Sequence, residues 1–79
     1  MPPDLPNDDD QLLQERSRIG QRIRDTRIHR NLTQEAVFLA VPLTRSYYQE
    51  VESGRANPTL STLLRIARVL DTPLADLVR

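Results

Sequence analysis

Apolar residues recur along this chain at helical spacing, in five segments separated by turn residues. From about residue 10 to residue 30, Leu12, Ile19, Ile23 and the Thr26/Arg27 level share one face of a long first helix. Asp8, Asp9 and Asp10 stand where carboxylates cap a helix and meet the positive end of its dipole. Gly20 weakens that helix by about 1 kcal/mol relative to alanine, which predicts a close helix contact there. Asn31 is the expected stop. Ala36, Val37, Ala40 and Val41 make the inner side of a short second helix that Thr33 caps and Pro42 ends. Tyr48 and Val51 are the buried stripe of a third helix over about residues 45–53, capped by Thr44 and stopped by Gly54 in a left-handed conformation. Leu60, Leu63, Leu64, Ala67 and Leu70 give a fourth helix its strong amphipathic signal, opened by Thr59 or Ser61. Asp71-Thr72-Pro73 breaks it and starts a short last helix with Leu74, Leu77 and Val78 turned inward. The expected class is all-α: a compact five-helix domain with no strand.

Residues 1–7 hold three of the six prolines, so residues 1–9 are expected to be a disordered acidic tail ahead of a domain over residues 10–79. Net charge is zero, but its distribution is not even. Residues 1–15 carry five acids and no base, whereas residues 16–79 carry all eleven arginines against six acids. A basic body behind an acidic tail points to an interaction surface. Every cation is arginine, whose planar fork suits phosphate and guanine; a codon-usage bias gives the same pattern. With no cysteine and one histidine, neither disulfides nor a metal site can support so small a core. Helix packing and oligomerisation are what is left. No apolar run reaches membrane-spanning length and no signal peptide is evident, so a cytoplasmic protein is expected. An enzyme is not: His29 has no nucleophile or metal cluster at usable spacing, and no cofactor is implied.

The segment from Leu32 to Pro58 carries the chemistry. Two short amphipathic helices joined by a turn, the second bearing outward polar side chains, make a helix-turn-helix, in which the second helix enters the major groove of DNA. Gln34 falls in the first turn of the second helix, where its amide and the free backbone N–H groups suit a phosphate. Arg45, Ser46 and Tyr47 open the third helix. Arg45 has the geometry for a bidentate contact to guanine, worth about 1–3 kcal/mol of discrimination. Ser46 suits a base or a phosphate, and Tyr47 a thymine methyl or a phosphate. Tyr48 belongs with Val51 in the core, its hydroxyl at the edge. Gln49 and Glu50 follow on the exposed side, Glu50 as an acceptor for cytosine N4 or as a group that excludes wrong sites. Thr44, at the start of the helix, is a further phosphate candidate.

Six pieces occur in order: Ile19-Gly20-x-x-Ile23-Arg24-x-x-Arg27, Leu32-Thr33-Gln34-Glu35, Arg45-Ser46-Tyr47-Tyr48, Val51-Glu52-x-Gly54, Asn57-Pro58-x-Leu60 and Leu63-Leu64-x-Ile66-Ala67-x-x-Leu70. Together they resemble the lambda-repressor/Cro-like (XRE) family of DNA-binding regulators over about residues 17–79, and the Arg45-Ser46-Tyr47 run resembles the restriction-modification controller branch. The resemblance implies that Gln34 contacts the DNA backbone and braces a side chain of the recognition helix. It implies that Arg55 and Asn57 bind phosphate, and that Arg27 and Glu52 form a partly buried ion pair. Family members usually bind double-stranded DNA as homodimers, which implies a near-palindromic operator and makes Leu74, Leu77 and Val78 the candidate dimer interface. Three positions depart from the family pattern. Pro42 replaces the usual positive-φ glycine of the turn, Phe38 stands where a small alanine is usual, and Leu39 takes a usually charged position. The Phe38/Leu39/Leu43 neighbourhood is either internal packing, with Phe38 buried, or an apolar partner surface. A protein-interaction domain of the same fold, antitoxin-like or partner-binding and without DNA binding, is the competing expectation.

Overall fold

Residues 8–79 are described by a computed structural model; the tail expected over residues 1–7 lies outside the described residues. Helix α1 runs over Asp8–His29, α2 over Gln34–Ala40, α3 over Arg45–Ser53, α4 over Leu60–Val69 and α5 over Leu74–Val78. No strand occurs among the described residues. Helix α1 therefore begins two residues before the expected start. At about 1.5 Å per residue its 22 residues reach roughly 33 Å, long enough for its first turn to overhang the body.

Threonine caps three of the helices. Thr33, Thr44 and Thr59 hold extended backbone, and each hydroxyl accepts from the N–H three residues on, in Ala36, Tyr47 and Thr62. Each bond satisfies one of the donors that the first helical turn leaves free. Gly54 ends α3 at φ 81°, and Asn31 and Asp71 end α1 and α4 at φ 59° and 54°. The Val41–Pro42 peptide is cis, and Leu43 N–H closes the turn back onto the Phe38 carbonyl at 2.6 Å. Pro42 stands in this turn, where the resemblance leads to the expectation of glycine.

The core is built from Ile23, Val37, Phe38, Val41, Tyr48, Val51, Leu63, Ile66, Ala67, Leu70 and Leu77, with Ala56 of the α3–α4 loop. Two expected faces are rotated. In α2, Val37, Phe38 and Val41 are buried while Ala36 and Ala40 face out, because the Phe38 ring turns in to meet Tyr48, centroids 6.4 Å apart. In α4 the buried stripe is centred on Leu63, Ile66, Ala67 and Leu70, and Leu60 and Leu64 are exposed. Leu12, expected on the inner face of α1, borders a small cavity with Pro58 and Leu63 and is exposed on its outer side.

Gly20 is where α1 and α3 touch. A Cβ there would stand 2.5 Å from the Val51 carbonyl oxygen and 2.6 Å from that of Glu52, so only glycine lets the two backbones approach this closely. This contact fixes the direction in which α3 projects its outer face.

Candidate nucleic-acid interface

Helix α3 divides cleanly by exposure. Tyr48, Val51 and Glu52 point inward, whereas Arg45, Ser46, Gln49, Glu50 and Ser53 form one exposed stripe at helical spacing. Ser46, Gln49, Glu50, Ser53 and Arg55 line a shallow open depression along it. Thr44, Arg55 and Asn57 are exposed at the two ends of the helix. Tyr47 is only half exposed, its ring packed partly against the core, so it offers an edge rather than a free side chain. The Thr44 hydroxyl is already engaged as the α3 cap.

Beneath the stripe lies a polar network that orients it. Arg27 Nε of α1 donates to Glu52 Oε2 at 2.7 Å, and its Nη2 reaches Oε1 at 3.3 Å. Its Nη1 donates to the Leu32 carbonyl at 2.9 Å, tying the α1–α2 loop to the pair. The Tyr48 hydroxyl also donates to Glu52 Oε2, and Gln34 Nε2 donates to Oε1 at 3.1 Å. Glu52 is almost wholly buried, with three donors around it. Burial alone pushes its carboxyl pKa up, but the hydrogen bonds from Arg27, Tyr48 and Gln34 outweigh that and hold it below its ordinary value. The hydrogen bond to Glu52 raises Arg27, and burial followed by the nearby carboxylate pushes Tyr48 far up. All three groups therefore keep one protonation state around neutral pH.

Gln34 links this buried network to the surface. Its amide N–H is held by Glu52, which leaves Oε1 to accept from Gln49 Nε2 at 3.3 Å. One side chain of α2 thus joins the buried ion pair to a side chain of the exposed α3 stripe.

Arg45 is held too. Its guanidinium lies 5.1 Å from the centre of the Phe38 ring, and its Nη2 is 3.5 Å from Glu35 of α2. Of the two expectations for Phe38, burial is the one the structure shows; its role as a platform for Arg45 was not read from the sequence. Ser53 was missed as well, though its position one turn beyond Gln49 and Glu50 on the same face is readable from spacing. Of the α5 residues, Leu77 is 0% exposed within a single chain and belongs to the internal core, while Leu74 and Val78 are half-buried against that core. Among the described residues no cluster of His, Cys, Asp and Glu suits a metal, and no helix is long and apolar enough to cross a membrane.

The helix-turn-helix family model matches residues 23–77. The immunity repressor protein of Bacillus phage phi105 is 40% identical over 60 residues, 76% of this chain and 42% of that protein. The cryptic phage CTXphi transcriptional repressor RstR of Vibrio cholerae is 35% identical over 59 residues, 75% of this chain and 53% of that protein. The chain thus spans about half the length of these two relatives. The restriction-modification controller protein C.AhdI from Aeromonas hydrophila superposes with a TM-score of 0.78 at 34% identity, over 81% of this chain and 97% of that one. Fold, motif order and these matches agree: the chain belongs to the XRE-type helix-turn-helix family of transcriptional regulators.

Proposed function

We propose that this chain is a sequence-specific double-stranded DNA-binding regulator that lays α3 in the major groove and acts as a homodimer on a near-palindromic operator. The observation that carries the reading is the uncovered stripe of α3, in which Arg45, Ser46, Gln49 and Glu50 project together from a buried, fully hydrogen-bonded base. A B-form major groove about 12 Å wide admits a helix with such a stripe. In this reading Arg45 takes guanine, Ser46, Tyr47 and Gln49 take neighbouring base edges, and Glu50 accepts from cytosine or rejects wrong bases. Gln34, Thr44, Arg55 and Asn57 sit at the flanks, where phosphates pass, and set affinity and register. The relatives support the same reading, since two are named repressors and one a controller protein.

A second reading, a partner-binding domain of this fold without DNA binding, draws support from Glu35 beside Arg45, from the exposed Glu50 and from the zero net charge. Titration of the full chain with bulk duplex DNA over a range of salt separates the two. A regulator binds at low salt and loses affinity steeply as salt rises, because each phosphate contact releases condensed counterions. Absence of binding at every salt concentration rejects the DNA reading.

A further inference from the structure

The first turns of α1 lie outside the matched family segment, which begins at Ile23, and they expose apolar surface of their own. The face of α1 that packs on α3 through Gly20 and Ile23 continues upstream through Arg16, Leu13 and Leu12, where both leucines remain exposed. Leu12, Ile19, Pro58 and Leu63 border a small cavity of about 100 Å³, with Arg16 on its wall. Arg16 Nε is buried there with no acceptor. On α4, Leu60 is 69% exposed and Leu64 stands one turn further along the same ridge, with Arg68 one turn beyond. Four of the six large exposed apolar side chains among the described residues, Leu12, Leu13, Leu60 and Leu64, thus belong to these two helices.

Charge indicates what covers them. Residues 8–15 contain four acids and no base, whereas residues 60–70 contain Arg65 and Arg68 and no acid. An acidic overhang and a basic ridge, each edged with leucine on the same molecule, are self-complementary, as a two-fold interface requires. We infer that a second copy of this chain is the occupant: the α1 overhang of each protomer lies across the α4 ridge of the other. Leucine meets leucine at the centre, and Asp10 meets Arg65 and Arg68 at the rim. Leu77 of α5, by contrast, is enclosed in its own core. The inference rests on the reading of the chain as a homodimeric regulator, but its test uses no DNA.

Sedimentation equilibrium of the full chain measures the dimer constant, with thermal melting run on every variant. Wild type should be dimeric at micromolar concentration. Leu60→Glu and Leu13→Glu change exposed positions, so folding should persist while dimerisation weakens about tenfold or more. Asp10→Arg alone and Arg68→Asp alone should each weaken it, and the two combined in one chain should restore it, because both contacts are then reversed together. A monomeric wild type, unchanged dimerisation in folded Leu60→Glu and Leu13→Glu, or no rescue in the combined variant overturns the inference. Salt-dependent DNA binding by the same proteins is scored separately. A dimer that ignores DNA contradicts the regulator reading alone, and a DNA-binding chain whose dimer ignores these changes contradicts this interface alone.

Discussion

Arg45 rests on Phe38. The guanidinium stands 5.1 Å from the ring centre and 3.5 Å from Glu35. The aromatic face restrains a flexible cation near the position from which it would meet a base edge, since a cation over a ring is attracted by the ring quadrupole. Glu35 acts differently, because in the proposed complex its carboxylate would compete with DNA for the same guanidinium. Phe38 therefore pre-orders Arg45, and Glu35 holds it back.

The competition has a measurable consequence. An exposed ion pair of this kind contributes about 0–1 kcal/mol, and removing a carboxylate near phosphates adds to the gain. Glu35→Ala should tighten DNA binding by a few-fold, up to about fivefold at low salt, in a fluorescence anisotropy titration. The gain should shrink in an Arg45→Ala background, where no guanidinium is released. Weaker binding by Glu35→Ala would remove the competition argument.

Glu52 and Arg27 support the fold rather than the reading of DNA. Glu52→Gln keeps the shape but leaves a partly buried Arg27 without its carboxylate, a loss of about 3 kcal/mol. For a domain of this size that lowers Tm by about 12 °C or more. Because the folded-state pKa of Glu52 lies below its ordinary value, its contribution is complete above the unfolded glutamate value of about 4.3 and is lost as pH falls through the lower folded value. The Tm gap between wild type and Glu52→Gln should stay constant from neutral pH down to about pH 5 and narrow below about pH 4. A gap that is absent at neutral pH, or undiminished in strong acid, contradicts this.

Gly20→Ala sets two effects against each other. Alanine favours the helix by about 1 kcal/mol. Its methyl, however, would meet two backbone oxygens of α3 at 2.5 and 2.6 Å, and neither can step aside without moving the helix. Overpacking of this sort costs about 1–3 kcal/mol, so destabilisation should win. Calorimetry should record a lower Tm, and DNA affinity should fall with it as α3 is pushed out of place. A raised Tm would mean that α1 and α3 are not in backbone contact at this level.

What could be read from the residues was decided by local chemistry. The three threonine caps and the left-handed Gly54 depend on one or two side chains each; they place α2 and α3 from the letters alone and narrow the start of α4 to Thr59 or Ser61, of which Thr59 is the cap. The phase of a helix is harder. Helix α4 is apolar around more than half its circumference, so spacing could not tell whether Leu60 and Leu64 or Ile66 faced the core; contact with the other helices turned Ile66 inward. Phe38 shows the same limit in α2. Its burial depends on a gap beside Tyr48 that only the assembled bundle creates. The stripe Arg45, Ser46, Gln49 and Glu50 was legible because a nine-residue amphipathic helix with a strong buried side has only one outer face. The hydrogen bond from Gln49 to Gln34 spans 15 residues, and within this chain alone no local rule predicts it.

The outward stripe of α3 is tested most directly by selecting preferred duplexes from a random pool, in parallel for the wild-type chain and for Arg45→Ala. The wild type should enrich a near-palindrome with guanine at a fixed position in each half-site. Arg45→Ala should still bind duplex DNA but lose the preference at that position, by about 1–3 kcal/mol of discrimination. Enrichment of the same sequence by both proteins, or of none by the wild type, would contradict the assignment of this face to base recognition.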